Sequence, residues 1–452
     1  MRNSAGDETE RKAGKYAWYV CFVMMFTLLF SYMDRTVLAL IVIPIEHDFG
    51  INDSTIGLLQ GAAYSIFYVA FAFPLSRLSD SGNRKRLIMI GLVVWCTATI
   101  GFGLARTVAQ LFFARIIVAI GEAVLMPAAV SILADYFPPR LRGRALSIFS
   151  IGTFLGAGLG LGGGGVLLKH LGSSDYALPG FGLLAPWRLV LVIIGLAGFV
   201  LIPLLLAVRE PVRLEDTGAA AGQPMPLADV LKEFNLKRFA ILSCAFGFAA
   251  LSLGGTTVNS WGPTLLVRIH HVAQGSAGLL IGGLTLVLGP LGALTGGSLA
   301  DYFRGRGHFD NKMLVGLLAG LGCIIGSVLF TLPSYRVATF GVVVVSYLVA
   351  FNFGNVQGAL AELVSSRMRG FTTAIFLLFT NLLQATVGPL AVGLLNNHVF
   401  HDPNAIGLSM RIVVPSAFAL AAVSLALGRR PFRSVVGAIQ NARLAAPPRP
   451  AV

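Results

Sequence analysis

RLRGRALSIF, Arg140–Phe149, and RMRGFTTAIF, Arg367–Phe376, are two versions of one segment, 227 positions apart in a chain of 452 residues. The same offset carries Asp135 onto Glu362, so an acid precedes the R-x-R-G in each copy. A second pair, LSDSGNRKR around Asp80 and GSLADYFRGR around Asp301, repeats the combination of an acid followed by a basic cluster. Four such features at matched positions argue for a duplicated unit about half the chain long. Parallel repeats of six helices are one known way to build a membrane transporter.

The sequence between the repeats fits that architecture. Residues are 56% hydrophobic and only 12% charged, where a soluble domain carries roughly 25% charged. Apolar runs of ~20 residues or more recur from Tyr16 to Leu427 and are apolar on every face. A β-barrel needs only ~9–11 alternating residues per strand, so the runs specify an all-α polytopic membrane protein. The N-terminal MRNSAGDETERKAGK is polar, and the apolar run after it is too long for a signal peptide core. Cys21, Cys96, Cys244 and Cys323 each lie in apolar segments without metal spacing and read as small hydrophobes.

Apolar runs set against loop signals give twelve expected spans, at residues 16–44, 54–77, 87–105, 108–135, 144–169, 187–208, 239–267, 275–300, 312–331, 335–362, 370–397 and 407–428. With the N-terminus in the cytoplasm, 26 of the 34 Lys and Arg fall in cytoplasmic loops or tails. Six face the other side (Arg106, Lys169, Arg188, Arg268, Arg336, Arg411), and Arg35 and Arg115 lie within spans. This positive-inside sorting places both termini in the cytoplasm and explains the net charge of +14 without nucleic acid. The expected organisation is a tail to residue 15, a six-helix bundle over 16–208, a cytoplasmic linker over 209–238, a second bundle over 239–428 and a tail from 429. Within the linker, PLADVLKEFNLKRF has the pattern of a short amphipathic helix on the inner membrane surface.

The loop residues carry a resemblance. Asp80, Arg84 and Lys85, and again Gly297, Leu299 and Asp301, resemble the loop motif of the major facilitator superfamily, G-x-L-x-D-x-x-G-R-K. YMDRTVLALIVIPIEHDFGI, STIGLLQ, SDSGNRKRL, RIIVAIGEA and ILADYFPPRLRGRALSIF look like the spinster-like branch. Ser81 stands where that branch usually has arginine, and the second half matches at superfamily level. The resemblance implies twelve helices in two six-helix bundles, alternating access, a lysophospholipid or sphingosine-1-phosphate type of cargo, and coupling to protons. It also implies that spans one and four line a central cavity.

Four ionisable side chains fall within the bilayer interior: Asp34, Arg35, Arg115 and Glu122. Each costs ~2.5–3.5 kcal/mol at a helix centre. Arg115 and Glu122, two turns apart, share a face of span four, whereas adjacent Asp34 and Arg35 point about 100° apart. One reading makes Asp34 and Glu122 the proton-coupling acids and Arg35 and Arg115 the contacts for an anionic headgroup, since guanidinium matches phosphate bidentately. The other makes all four a fixed salt-bridge network that holds the helices together. At the inner mouth Asp80, Arg84, Asp135, Arg142, Asp301 and Glu362 form a candidate charge latch, or serve positive-inside retention and capping.

The glycine run Gly152–Gly165 on span five reads equally as close packing or as a sliding contact. Asn352, Asn355, Gln357, Asn381 and Gln384 give the second half uncharged polar groups, to face an amphipathic cargo or to bond between helices. The seven histidines fall in loops or at span ends, and the HVFH pair at His398 and His401 is a weak metal pattern, so no metal or cofactor is expected. There is no P-loop, HExxH or nucleophile elbow, and no enzyme is expected. The expected protein is a monomeric, proton-coupled lipid transporter, in a bacterial inner membrane by its short loops and composition. A transporter of small organic anions or drugs and a non-transporting membrane sensor of the same fold are the rivals.

Overall fold

The computed structural model describes residues 14–178, 180, 182–211, 227–364 and 369–445. Span one is Lys15–Leu40, continued after a break at Ile41 by a short helix, Val42–Phe49. Span two runs Asp53–Gln60 and Ala62–Ser81, interrupted at Gly61. Span three is Arg84–Gly103 and span four Val108–Glu122 with Leu125–Tyr136. Span five is Pro139–Leu171, and span six Pro186–Gly198 with Leu201–Ala207. Span seven, Leu227–His270, absorbs the helix expected in the linker into one continuous element. Span eight is Gln274–Gly305, nine Asn311–Phe330, and ten Tyr335–Val349 with Asn352–Leu363. Span eleven is Arg369–Leu394, ending in a π-turn over Leu395–Val399, and twelve is Ile406–Ala445. Between spans five and six lies a small hairpin, Tyr176–Leu178 against Gly182–Leu184, which hydropathy did not anticipate.

Local chemistry sets the boundaries. Asn52 accepts from the Thr55 amide at the start of span two, and Asn83 from the Arg86 amide at the start of span three. Thr107 and Gln110 form a reciprocal capping box at the start of span four. Pro139 and Pro186 sit in the first turns of spans five and six, where their missing N–H costs nothing. Span ten kinks at Gly354, whose φ of +86° only glycine adopts easily.

The chain divides into two compact units. The first joins the six leading spans to the outer segments Asn259–Leu286 and Pro389–Asn404 of spans seven, eight and eleven. Its core packs Met24, Leu28, Leu92, Trp95, Leu133, Phe137 and Phe149. The glycine run serves two faces of span five here. Gly152, Gly156, Gly160 and Gly164 lie against span one, so close that a Cβ at Gly152 would sit 2.5 Å from the Met25 carbonyl oxygen. Gly158 and Gly165 meet Gly282 and Gly275 of span eight at similar range. Packing is therefore what these glycines do in this structure.

The second unit comprises the inner parts of spans seven, eight and eleven with spans nine, ten and twelve. There Asn352 donates to Ser252 Oγ at 2.5 Å, and Asn355 to the carbonyls of Phe351 at 2.7 Å and Gly296 at 3.2 Å. Gln384 donates to Asn381 at 3.2 Å, while Gln357 is exposed. Asn352 and Asn355 thus bond between helices, as does Gln384, which accepts from Thr256 of span seven at 3.5 Å.

Candidate functional site

Span one sends its adjacent charges to different partners. Asp34 Oδ1 accepts from Thr99 Oγ1 of span three at 2.8 Å. Arg35 Nε donates to Glu122 Oε2 of span four at 2.7 Å. Tyr64 of span two donates its hydroxyl to that same oxygen at 2.6 Å. The roughly 100° between successive helical residues is what separates the two lines of contact.

Three tyrosines surround the Arg35 guanidinium: ring centroids of Tyr64, Tyr32 and Tyr68 lie 4.7, 4.9 and 5.0 Å from its central carbon. Tyr64 and Tyr68 are one helical turn apart on span two and stack with centroids 5.6 Å apart. A guanidinium prefers such faces because each ring presents a negative quadrupole. Arg115 lies over Tyr64 as well, at 4.8 Å, so one ring bridges both arginines. Arg115 and Asp34 also line a cavity of about 10 Å³ with Thr99 and Phe102, near the lower limit for one water molecule.

All four expected groups are brought together. Asp34, Arg115 and Glu122 are 4, 5 and 0% exposed, and each keeps one polar atom to which no protein group bonds: Asp34 Oδ2, Arg115 Nε and Glu122 Oε1. Two acids and two guanidinium groups balance in charge, yet only Arg35 and Glu122 form an ion pair, and the bonds made leave hydrogen-bonding capacity unused. Such a site can accept a proton on a carboxylate or an anion on a guanidinium without a new charge being left unmatched. Thr99 and the three tyrosines escaped sequence reasoning. An aromatic pair four residues apart in an apolar helix is ordinary core, and only the nearby arginines distinguish it.

The inner-mouth residues fall into separate sets. Arg84, 2% exposed, bonds Asp135 Oδ2 at 2.5 Å, Glu210 Oε1 at 2.7 Å and Ser131 Oγ at 2.8 Å. Glu210 also accepts from the Lys85 amide at 2.9 Å, a role that sequence reasoning missed. In the second unit Glu362 receives Lys312 and lies 3.8 Å from Arg304. Asp135 and Glu362, equivalent in the repeat, thus each take a basic partner within their own unit. Arg142 donates to the Phe137 carbonyl at 3.0 Å, Asp301 is exposed, and the side chain of Asp80 lies outside the described residues.

A family model described as the Major Facilitator Superfamily matches residues 24–389. The chain belongs to the Major Facilitator Superfamily. Among its relatives is an MFS-type efflux pump of Mycolicibacterium smegmatis, 28% identical over 97% of this chain and 98% of that protein. Protein spinster of Drosophila melanogaster is 25% identical over 91% of this chain and 68% of its own length. In fold, the chain is similar to the crystal structure of a bacterial homolog to the human lysosomal transporter Spinster, in its inward-facing and unoccupied conformation. That likeness has a TM-score of 0.74 at 24% identity and covers 94% of this chain and 98% of the other. The chain is thus a multi-pass major facilitator membrane protein, similar to the spinster proteins. Eleven of its described helices are long and apolar enough to span a bilayer, and Arg369–Leu394 supplies the twelfth span.

Proposed function

We propose that this major facilitator protein is a proton-coupled secondary transporter of an amphipathic, anionic lipid-type cargo, working by alternating access. The observation that carries the reading is the set of buried Asp34, Arg115 and Glu122 with half-buried Arg35, balanced in charge and cradled by Tyr32, Tyr64 and Tyr68. An anionic headgroup, of the lysophospholipid or sphingosine-1-phosphate type, competes with Glu122 for Arg35 and binds Arg115, whose Nε no protein group occupies. The carboxylate so displaced loses its counter-charge in a medium of low dielectric and takes up a proton. Departure of the cargo restores the pair and releases that proton. The tyrosine faces hold the guanidinium in place through both halves of this exchange.

Asp80, Arg84, Asp135, Arg142, Asp301 and Glu362 serve the same cycle as an inner-mouth latch, with Arg84 and Glu362 changing partners as the mouth opens and closes. The division into residues 16–208 and 239–428 about a linker, and residence in a bacterial inner membrane, belong to this reading. A second reading, export of a small organic anion or drug, is favoured by the efflux pump relative, which matches the chain nearly end to end.

The test is lumenal pH in proteoliposomes after addition of a lysophospholipid or sphingosine-1-phosphate. A cargo-dependent pH change is expected in the wild type and is lost in Asp34→Asn. Cargo movement without a pH change means uniport, and neither means the lipid reading fails. Competition between long-chain and short anionic ligands separates the lipid from the drug reading, and any flux at all removes the sensor.

A further inference from the structure

A second charged cluster lies at the outer ends of the spans, wholly within the first unit. Glu46 comes from the short helix after span one, Asp53 from the first turn of span two, Arg268 from the end of span seven and Asn396 from the π-turn of span eleven. Arg268 Nη2 contacts Glu46 Oε2 at 2.5 Å and Asp53 Oδ1 at 3.0 Å, while its Nη1 contacts Asp53 Oδ2 at 2.9 Å. Asn396 Nδ2 donates to Asp53 Oδ2 at 2.8 Å, and Ser54 Oγ to the Gly393 carbonyl at 3.0 Å. The side chains of Glu46 and Asp53 are 14% and 1% exposed.

One guanidinium serving two buried carboxylates leaves an uncompensated negative charge. The other titratable groups on the surrounding elements do not supply the missing cation. Asp48 is acidic and already held by the Trp187 indole N–H at 2.9 Å and Arg188 at 3.5 Å. His47, His271, His398, His401 and Asp402 are exposed to solvent, and His270 is half-buried. Glu46 Oε2 and Asp53 Oδ1 accept from the same Arg268 Nη2, which brings the two carboxyls side by side, and Glu46 Oε1 is buried with no protein donor. Two neighbouring carboxyls that share a single guanidinium are stable when one of them carries hydrogen.

We propose that the Glu46–Asp53 pair is a second proton-binding site, reached from the outer face, and that its bound proton holds the outer ends of spans one, two, seven and eleven together. The proton resides on Glu46. Asp53 sits at a helix N-terminus with two donors and is the better anion. Glu46 lies toward the end of its short helix, where negative charge is disfavoured. Burial first, then the neighbouring Asp53 carboxyl, pushes the Glu46 carboxyl up from 4.5 to about 9. A cavity of about 390 Å³ lined by Glu46, His47, Asn52, Asp53, Arg268 and Asn397 gives solvent access from the outer side.

The sign of the pH dependence follows from linkage. The closed cluster binds the proton more tightly than separated, hydrated carboxyls do, so closure is favoured in full at low pH. It is lost as pH rises through the raised value of the closed state, at up to about tenfold in closed-to-open ratio per pH unit. This site is separate from the mid-membrane set, and its behaviour does not depend on the cargo.

The test uses spin labels on exposed outer positions, Ser173→Cys and Ala273→Cys, in the full chain reconstituted in nanodiscs, since the four native cysteines are buried. Label distances are measured by electron–electron resonance from pH 6 to pH 10 in potassium buffer. One short distance is expected at pH 6, giving way to a longer one as pH rises. Glu46→Gln, which keeps an acceptor for Arg268 and gains a donor for Asp53, is expected to stay short throughout. Asp53→Asn leaves a one-to-one pair of Glu46 with Arg268, loses the pH response too, and provides the test should Glu46→Gln fold poorly. Asp34→Asn keeps the transition, which separates this inference from the mid-membrane coupling. A wild-type distance constant across the range overturns the proposal, as does a transition that survives in Glu46→Gln. A transition displaced by exchanging potassium for choline at fixed pH assigns the site to a small cation and overturns it as well.

Discussion

The mid-membrane cluster and the outer cluster use the same side chains in different proportion. In the middle, Asp34 and Glu122 face Arg35 and Arg115, two acids to two guanidinium groups, with Glu122 held at 2.7 Å and Asp34 bonded instead to a threonine. At the outer end Glu46 and Asp53 share Arg268 alone. A balanced set stores no charge and is free to exchange one anion for another. An unbalanced set has to acquire a cation before it can close. The difference teaches that a count of charges, not their mere presence in a membrane, separates a site for an anionic cargo from a site for a proton.

The largest effect comes from unbalancing the middle. Arg35→Ala leaves Glu122 fully buried with only Tyr64 as partner, and truncating one member of a buried ion pair costs about 3–5 kcal/mol. We expect cargo flux in proteoliposomes to fall below detection and thermal unfolding to move to clearly lower temperature. Arg35→Lys restores charge without the planar fork that meets Glu122 and three rings together, so it should recover stability better than flux. Equal recovery of both would reduce the tyrosine cradle to packing.

Tyr64→Phe is the next step down. It keeps the ring beneath both arginines and removes only the hydroxyl that donates to Glu122 Oε2 at 2.6 Å. A hydrogen bond to a charged group is worth about 1.5–3 kcal/mol, so flux should fall by about 10- to 100-fold with the fold intact by circular dichroism. Tyr68→Phe serves as the control, since it keeps its ring beside Arg35. If the two variants behave alike, the hydroxyl bond to Glu122 is incidental to transport.

Much of this was legible in the sequence, for physical reasons that also mark where legibility ends. Spans and orientation follow from hydrophobic length and from the sorting of basic residues, both of which the bilayer imposes one segment at a time. Asp34, Arg35, Arg115 and Glu122 stood out because a charge in an apolar run is costly wherever it lies. Their pairing did not follow from spacing: Arg115 and Glu122 share a face, yet Glu122 takes its bonds from Arg35 and Tyr64, 87 and 58 positions away in the chain. The outer cluster was hidden more deeply. Arg268 counted as one more outward basic residue, and its partners Asp53 and Glu46 lie 215 and 222 positions away. Glu210 and the break in span four after Glu122 gave no local signal either, since both depend on what packs beside them.

The smallest effect sharpens the outer side. Asn396→Ala removes one neutral donor from Asp53 and leaves the three charges in place. A hydrogen bond of that kind contributes about 0.5–1.5 kcal/mol, somewhat more when the acceptor is ionised, or roughly a two- to tenfold fall in closed-to-open ratio at any pH. Because the proposed linkage involves one proton, a tenfold fall is equivalent to about one pH unit. The opening transition between the spin-labelled positions should therefore move to lower pH by up to about one unit, with its steepness unchanged. In the middle of the membrane the matching substitution, Thr99→Ala, removes the hydroxyl from Asp34 but touches no outer contact, and should leave that transition where it is. A shift of equal size in both variants would mean that the two clusters titrate as one, and the distinction between exchanging an anion and acquiring a proton would collapse into a single coupled site.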